Sequence, residues 1–481
     1  MVSKSEYGFV LKKEVGLLRG VSLIIGICVG FGIYFSPSKT LVATNGSIGL
    51  ALLVWFTTGI MCTMSALCYC ELGGLIKESG LDFAYFNAAY GPTVAFGYQW
   101  VAATAARCAS NAAKILVFGE YFASLLRSFG ICLENHSPAV KIIPVLVFLL
   151  LVAIQMRSIL EVAMSAMKFS ILAILAIFGL KHLAQGDSPS MENFSNAFNT
   201  EQMQNVSFLG IFSAVYYCTY AYTGWQSLNA VVEEIKDPIK TLTRSIYIAM
   251  PLITCGYCFV NVAYFSVLTV EEITSSLAVA ATFGEKVFGS CEWFIPSVVC
   301  ISILGSLNGS YFANARVLFA AARMGHLPKL FSMIHMKYRT LTPAILYQAT
   351  VTLILVAVGN LEGIMMAYVS WGWMTYGLSA CSVLVLRWKH SEADRPYKVP
   401  ILVPCVVCIF STACVILPIV LNPNIYLLFG LLYLILGLGL YFIFVVKKRR
   451  LPGFHRLNKY FQRILQVCPP CFEAEKMTKN S

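Results

Sequence analysis

The stretch IIGICVGFGIYFSP, Ile24 to Pro37, decides how this chain is read. It lies in an apolar run long enough to cross a bilayer, yet Gly26, Gly30 and Gly32 interrupt it. Each glycine costs a helix interior up to about 1 kcal/mol against alanine, so the run is weakened at one place. Two explanations compete. Gly26 and Gly30 have the G-x-x-x-G spacing that lets two membrane helices touch. Alternatively, the glycines mark a turn where the helix unwinds around a ligand.

Outward from that stretch the membrane class is plain. The 481 residues are 58% hydrophobic and only 12% charged, too few charges to coat a soluble surface of that size. Apolar runs near the spanning length of about 20 residues recur, and they predict about twelve transmembrane helices. These lie near 17–43, 48–75, 92–127, 141–157, 160–183, 206–231, 244–268, 293–322, 342–359, 364–387, 398–420 and 424–446. The expected organisation is an N-terminal segment 1–16, an all-α integral membrane domain 17–446 and a tail 447–481, with no soluble catalytic module. Met1 to Leu11 is polar and the first apolar run is too long for a signal-peptide core, so no cleavable signal is expected.

Basic residues set the orientation. With the N-terminus inside, inner segments collect Lys4, Lys12, Lys13, Arg19, Lys236, Lys240, Arg244, Lys329, Lys337, Arg339, Arg387, Lys389, Arg395 and the run Lys447 to Arg450. Outer loops hold acids instead, among them Glu134, Asp187, Glu192, Glu201, Glu271, Glu272, Glu285 and Glu292. That asymmetry places both termini in the cytoplasm. The net charge of +12 is accounted for by topology and anionic lipid, with no nucleic-acid partner needed.

The sixth span carries a second interruption. YCTYAYTGWQSLN, Tyr217 to Asn229, breaks its apolar run with Thr219, Thr223, Gly224 and Gln226. The first and sixth spans lie five helices apart, so each opens a five-helix half, and breaks at matching positions point to a transporter site. An unwound turn frees N–H and C=O groups that lipid cannot satisfy. A half-helix N-terminus suits a carboxylate, and freed carbonyls suit an ammonium. The two breaks together describe a site for a zwitterion, which favours the binding turn over mere packing.

Other classes fit less well. An ion channel would want a selectivity ring or gathered pore charges. A membrane enzyme would want an intramembrane His, Asp or Glu cluster, and the six histidines (136, 182, 326, 335, 390, 455) fall in loops, at span ends or in the tail. No catalytic residue, metal or cofactor is expected. In the third span Thr104, Arg107, Asn111 and Lys114 follow at spacings of three and four, which puts them on one helix face. Arg107 has the fork geometry for a substrate carboxylate; it is otherwise a structural cation paired with a carbonyl or acid. Lys168, in the fifth span, is a second buried cation or a lysine snorkelling to the inner interface.

Most of the seventeen cysteines lie in apolar runs, where cysteine acts as a small hydrophobe. Cys132 stands in the outer loop between spans three and four, an oxidising setting, where it could pair with Cys291 or stay an idle thiol. The tail pair Cys468 and Cys471 has no second pair to complete a zinc site, and palmitoylation beside the basic run suits it better. Asn135, Asn193 and Asn205 open outer-loop glycosylation sequons.

The motifs resemble one family. VGFGIYFSP resembles the G-S-G-I-F segment of amino acid–polyamine–organocation transporters, and YAYTGWQSLNAVVEEIKDP resembles the sixth-span signature of their L-type exchanger light subunits. CYCELGGLIKESGLDFAYF (Cys68 to Phe86), ARMGHLPKLFSMIH (Ala322 to His335) and DRPYKVP (Asp394 to Pro400) extend the likeness over nearly the whole chain. Within that subfamily the resemblance points to the aspartate/glutamate transporters. It implies a LeuT-like five-plus-five inverted repeat with two added spans and broken first and sixth helices.

What the resemblance implies for the site can be stated residue by residue. The turn Gly30, Phe31, Gly32 and Ile33 would offer N–H groups to the substrate carboxylate, and carbonyls around Tyr220, Ala221 and Thr223 would take the ammonium. Tyr220 stands where the family carries a gating phenylalanine. Phe31 replaces the usual serine, and Gly372, between Trp371 and Trp373, replaces an Asn or Arg. Lys168 matches a lysine that takes the place of a sodium ion between spans one, five and eight, which implies sodium-independent exchange. Cys132 would join a single-span heavy glycoprotein of the rBAT type or a related heavy chain. Relatives that carry neutral amino acids also have a base at the Arg107 position, and light subunits usually go unglycosylated. The expectation is a plasma-membrane exchanger of aspartate, glutamate and cystine, with a neutral or cationic amino acid exchanger of the same fold as the alternative.

Overall fold

The computed structural model describes residues 15–76, 81–131, 138–155, 163–186, 188–198, 203–230, 232, 235–338, 340–358, 361–421, 425–447 and 454–468. Helix follows helix. The first apolar run forms α1 (Leu17–Cys28) and α2 (Gly32–Ala43), bent by 49° at the glycines. α3 (Ile48–Leu75) crosses next, followed by a short α4 (Asp82–Tyr90). The third span is α5 (Pro92–Val101) continued by α6 (Arg107–Ser128) through a wide π-helical turn at Ala102–Ala106. α7 (Pro138–Gln155), α8 (Ala163–Gln185) and α9 (Ser188–Ser195) lead to the broken sixth run, α10 (Phe208–Tyr222) and α11 (Ser227–Ala230).

The second half opens with α12 (Pro238–Val267), then the short outer helices α13 (Val270–Ser275) and α14 (Val279–Phe288), and α15 (Phe294–Arg323). α16 (Thr342–Val358), α17 (Leu361–Lys389), α18 (Leu402–Leu421), α19 (Ile425–Leu440) and α20 (Phe454–Leu465) complete the order. Ile48–Leu75, Pro238–Val267, Phe294–Arg323 and Leu361–Lys389 are each long and apolar enough to cross a membrane, and the bent pair α1 and α2 makes a further span. Shorter apolar stretches, Ile142–Ala153, Leu172–Gln185, Thr342–Ala357, Leu402–Leu417 and Leu432–Val446, fall on other expected spans.

The two breaks are packed into each other, and this explains their glycines. A Cβ on Gly32 would press on the Ala221 backbone, lying 2.9 Å from its nitrogen. Gly224, at φ +124°, holds a backbone conformation that side chains avoid, and a Cβ there would meet Ile27 Cγ2 at 2.6 Å. Small residues at both crossings let α2 lie against α10. α12 then packs on α1, α3 and α8, and α8 contacts both α1 and α15.

One end of the bundle is held by ions and by the chain ends. Glu71, 2% exposed at the foot of α3, accepts from Arg387 Nε at 2.9 Å and from the Val399 N–H at 2.8 Å, with Arg395 Nε 3.6 Å away. A buried carboxylate would be costly alone, and here it is paired and hydrogen-bonded. Val467–Cys468 (β2) pairs antiparallel with Ile334–His335 (β1), so the described part of the tail folds back on the loop after α15. At the opposite end Thr269 and Glu272 form a capping box that starts α13, and Lys286 Nζ lies 2.7 Å from Glu272.

Candidate functional site

A cavity of about 130 Å³ opens between the two breaks. Its wall takes Ile27, Cys28, Gly30, Phe31 and Gly32 from the first break and Tyr220, Thr223 and Gly224 from the second. α6 adds Arg107, Ser110, Asn111 and Lys114, α15 adds Ser306, Ser310 and Asn314, and α17 adds Tyr368, Trp371, Gly372 and Tyr376.

The breaks expose backbone groups of opposite sense. No described group accepts from the N–H groups of Phe31, Gly32 and Ile33 at the start of α2, whereas Gly30 N–H turns back to Cys28 O at 2.7 Å. N–H groups left without an acceptor at the start of a twelve-residue helix are suited to receive an anion. Opposite them α10 ends at Tyr222, and its last carbonyls are partly engaged. Tyr220 O accepts from Thr223 Oγ1 at 2.8 Å, and Tyr222 O accepts from Cys28 Sγ at 3.8 Å. The Tyr257 hydroxyl sits 3.0 Å from Ala221 O and 2.8 Å from Cys28 O, sharing one proton between a carbonyl from each break. Of the three residues whose carbonyls the resemblance implies, Tyr220 and Thr223 line the cavity and Ala221 does not, its carbonyl being taken by Tyr257; Ile27, whose carbonyl accepts from no described backbone group, is on the wall instead.

An aromatic layer closes one side of the cavity. The Phe31 and Tyr220 rings meet edge-on at 4.8 Å, and Tyr220 meets Tyr368 at 5.5 Å. The Tyr220 hydroxyl donates to Ser110 O at 3.2 Å, which ties this layer to α6. Phe31, 2% exposed, thus supplies to the layer the bulk that a serine would not.

The third-span stripe divides. Arg107, Asn111 and Lys114 all face the cavity, but Thr104 does not share their wall, because the π-helical turn shifts its register. Thr104 Oγ1 instead bonds Trp100 O and accepts from Tyr433 at 2.8 Å. Arg107 Nη1 donates to Asn314 Oδ1 at 3.1 Å, and its guanidinium also acts on Tyr98 and Asp82. Asp82 is fully enclosed, accepting from Tyr69, from Tyr98 at 2.8 Å and from Ser379 at 3.0 Å. Lys114 Nζ bonds Ser310 Oγ. Among the described residues two bases and one acid therefore line the cavity, an excess of one positive charge.

Gly372 faces open space, with nothing within 4 Å of a Cβ placed there. Asn193 is not a free sequon: its amide nitrogen donates to Phe265 O at 2.8 Å and Leu268 O at 2.9 Å in a buried site, which leaves no room for a glycan. Asn205 is exposed, as is Cys291. Cys132, Asn135 and the Lys168 side chain lie outside the described residues; the helix that carries Lys168 contacts α1 and α15. Cys468 is exposed beside Ile334 O, and Cys471 lies outside the described residues. Among the described residues no His, Cys, Asp and Glu cluster could hold a metal.

Outside the spans, His326 is wedged between Phe83 and Phe96, with ring centroids 4.8 and 5.5 Å away, and burial lowers its pKa. Burial opposes the Glu272 charge, yet the Lys286 hydrogen bond and the Thr269 N–H hold that carboxyl below its usual range.

Comparison with known proteins gives the family. The family described as amino acid permease matches residues 15–441. The chain belongs to the amino acid permease family. The permease is 33% identical over 469 residues to the b(0,+)-type amino acid transporter 1 of Mus musculus, covering 96% of this chain and 94% of that one. It is 33% identical over 465 residues to the cystine/glutamate transporter of Homo sapiens, covering 95% and 90%. It is 35% identical over 475 residues to the large neutral amino acids transporter small subunit 2 of Mus musculus, covering 97% and 88%. With its apolar helices, the permease is a multi-pass membrane protein.

Reasoning from the sequence missed Asp82, Tyr98, Asn314 and Tyr257. Asp82 opens α4, where an acid is ordinary and so carries no local signal, and neither does a tyrosine or asparagine within a span.

Proposed function

We propose that this permease is a sodium-independent exchanger of acidic amino acids, aspartate and glutamate first and cystine in addition, working by alternating access. The substrate carboxylate docks on the N–H groups of Phe31, Gly32 and Ile33. Its ammonium lies among the carbonyls of Ile27 and the Tyr220–Thr223 turn. Its side chain extends toward Gly372, where the missing side chain leaves room, and toward Arg107. Tyr220 and Phe31 form the outer lid. Twelve spans in a five-plus-five repeat carry the motion, with both termini cytoplasmic at the plasma membrane. Lys168 stands in for a sodium ion, and Cys132 links a heavy-subunit glycoprotein.

The observation that carries acidic selectivity is the excess positive charge of the cavity wall. A dicarboxylic amino acid, with net charge −1, complements that excess, and the Arg107 guanidinium offers its fork to the second carboxylate. The test is Arg107→Ala. A lost charge-assisted hydrogen bond costs about 1.5–3 kcal/mol, so aspartate and glutamate uptake should fall about tenfold or more. Uptake of a small neutral amino acid should fall less or rise.

Asp82 favours a second reading. With Asp82, Tyr98 and Asn314 around it, Arg107 is a structural cation, and the substrate is a neutral amino acid. Equal losses for acidic and neutral substrates in Arg107→Ala would select that reading.

A further inference from the structure

α17 lines the cavity through Trp371, Gly372, Thr375 and Tyr376, and its continuation packs along α18. Gly377 makes that packing close: a Cβ there would lie 2.9 Å from Ser411 Cβ. One turn further along α17, at the same crossing, Cys381 and Cys408 meet with their Sγ atoms 3.0 Å apart. Both thiols are partly exposed, and Cys408 Sγ also reaches Gly377 O at 3.7 Å. Among the described residues most other cysteines are buried, whereas these two, both partly exposed, face each other from different helices. A disulfide requires an S–S distance of about 2.05 Å, so closing this pair needs a shift of about 1 Å.

We propose that Cys381 and Cys408 form a reversible redox site that fastens α17 to α18 and slows transport when oxidised. A peroxide is the oxidant. One thiol takes an oxygen from hydrogen peroxide to become a sulfenic acid, releasing one water. The second thiol attacks that sulfur, forming the S–S bond and releasing a second water. Two glutathione thiols restore the pair, leaving as glutathione disulfide.

The location suits a switch. Cys381 lies eight residues before Lys389, the end of α17, which is about 12 Å at 1.5 Å per residue. In the orientation proposed above that end is cytoplasmic, where stable disulfides are rare and transient ones are sensors. The moving part is the wall of the proposed site. Ser379, on the same stretch of α17, holds Asp82 at 3.0 Å, so a link at Cys381 restrains residues that must shift for the cavity to open and close.

The experiment uses the full chain in proteoliposomes. A protease site is placed in the exposed turn between Ser391 and Glu392, which separates α17 from α18 in sequence. After peroxide, thiol blocking and cleavage, the halves should remain joined on a non-reducing gel and separate with dithiothreitol. In Cys381→Ala and in Cys408→Ala they should separate without it. In the uncut wild type, peroxide should lower exchange at least threefold, dithiothreitol should restore it, and either variant should be insensitive. Differential alkylation of the unaltered chain, read by mass spectrometry, should report the same two thiols protected together. Halves that part after oxidation, halves that stay joined in Cys408→Ala, or a link that leaves exchange unchanged would each overturn the proposal. The gel needs no substrate, so a failure of the acidic-substrate reading leaves this test intact.

Discussion

Replacing Gly32 by alanine tests whether the first break works through its contact with the second. A Cβ at this position would lie 2.8 Å from Ala221 Cβ and 2.9 Å from Ala221 N, besides pressing on Ala221 Cα. An ordinary carbon contact is about 3.8 Å, so α2 and α10 must part by about 1 Å. Backbone atoms cannot rotate away as a flexible side chain can, and overpacking of this kind costs about 1–3 kcal/mol. The cost to transport exceeds the cost to folding, because the same displacement moves the free N–H groups of α2 away from the carbonyls of α10. A misplacement of about 1 Å in a positioned site is worth about a hundredfold in a rate. Radiolabelled aspartate uptake, normalised to surface-biotinylated protein, should fall at least about tenfold in Gly32→Ala. Adding Ala221→Gly removes only one of the three clashing atoms and should restore little. Gly256→Ala, on α12 and outside the cavity wall, is the control: it meets nothing within 4 Å and should keep uptake within about twofold of wild type. Near-normal uptake by Gly32→Ala at normal surface level would refute the reasoning.

Further outcomes are expected elsewhere in the chain. Choline in place of sodium should leave uptake unchanged, and Lys168→Ala should lower it; a steep sodium requirement in the parent protein would remove the ion-replacing role. Cys132→Ser should abolish a reducible high-molecular-weight band on non-reducing gels, and persistence of the band would move the link to Cys291. His326, with its pKa lowered by burial, binds protons more readily unfolded than folded. Its contribution to stability is therefore complete above about 6.5, the unfolded value, and is lost as pH falls from there through the folded one. Thermal unfolding between pH 7.5 and 5.5 should show a smaller acid loss in His326→Phe than in the wild type, and an equal loss would place the sensitivity elsewhere.

The parts of the site legible in the sequence are those where local chemistry conflicts with a membrane helix. Glycines in Ile24–Pro37 and the Thr223–Gln226 interruption stand out because each weakens a helix that the bilayer otherwise favours. Arg107 and Lys114 are visible for the same reason, since a charge within a span is expensive. What was hidden depends on how helices meet. The π-helical turn at Ala102–Ala106 is an alanine-rich segment with no local signature, so the displacement of Thr104 from the stripe could not be read. The bridging Tyr257 hydroxyl requires α12 to pass beside both breaks, a tertiary fact. Asn193 matches a sequon, and only packing against the end of α12 reveals that its amide is committed.

The central claim is that the two breaks form an amino acid site that turns over by exchange. Proteoliposomes loaded with radiolabelled aspartate, in sodium-free buffer, measure it directly. External aspartate or glutamate should accelerate efflux severalfold over buffer alone, with saturation. Efflux that is equally fast with and without external amino acid would contradict the account.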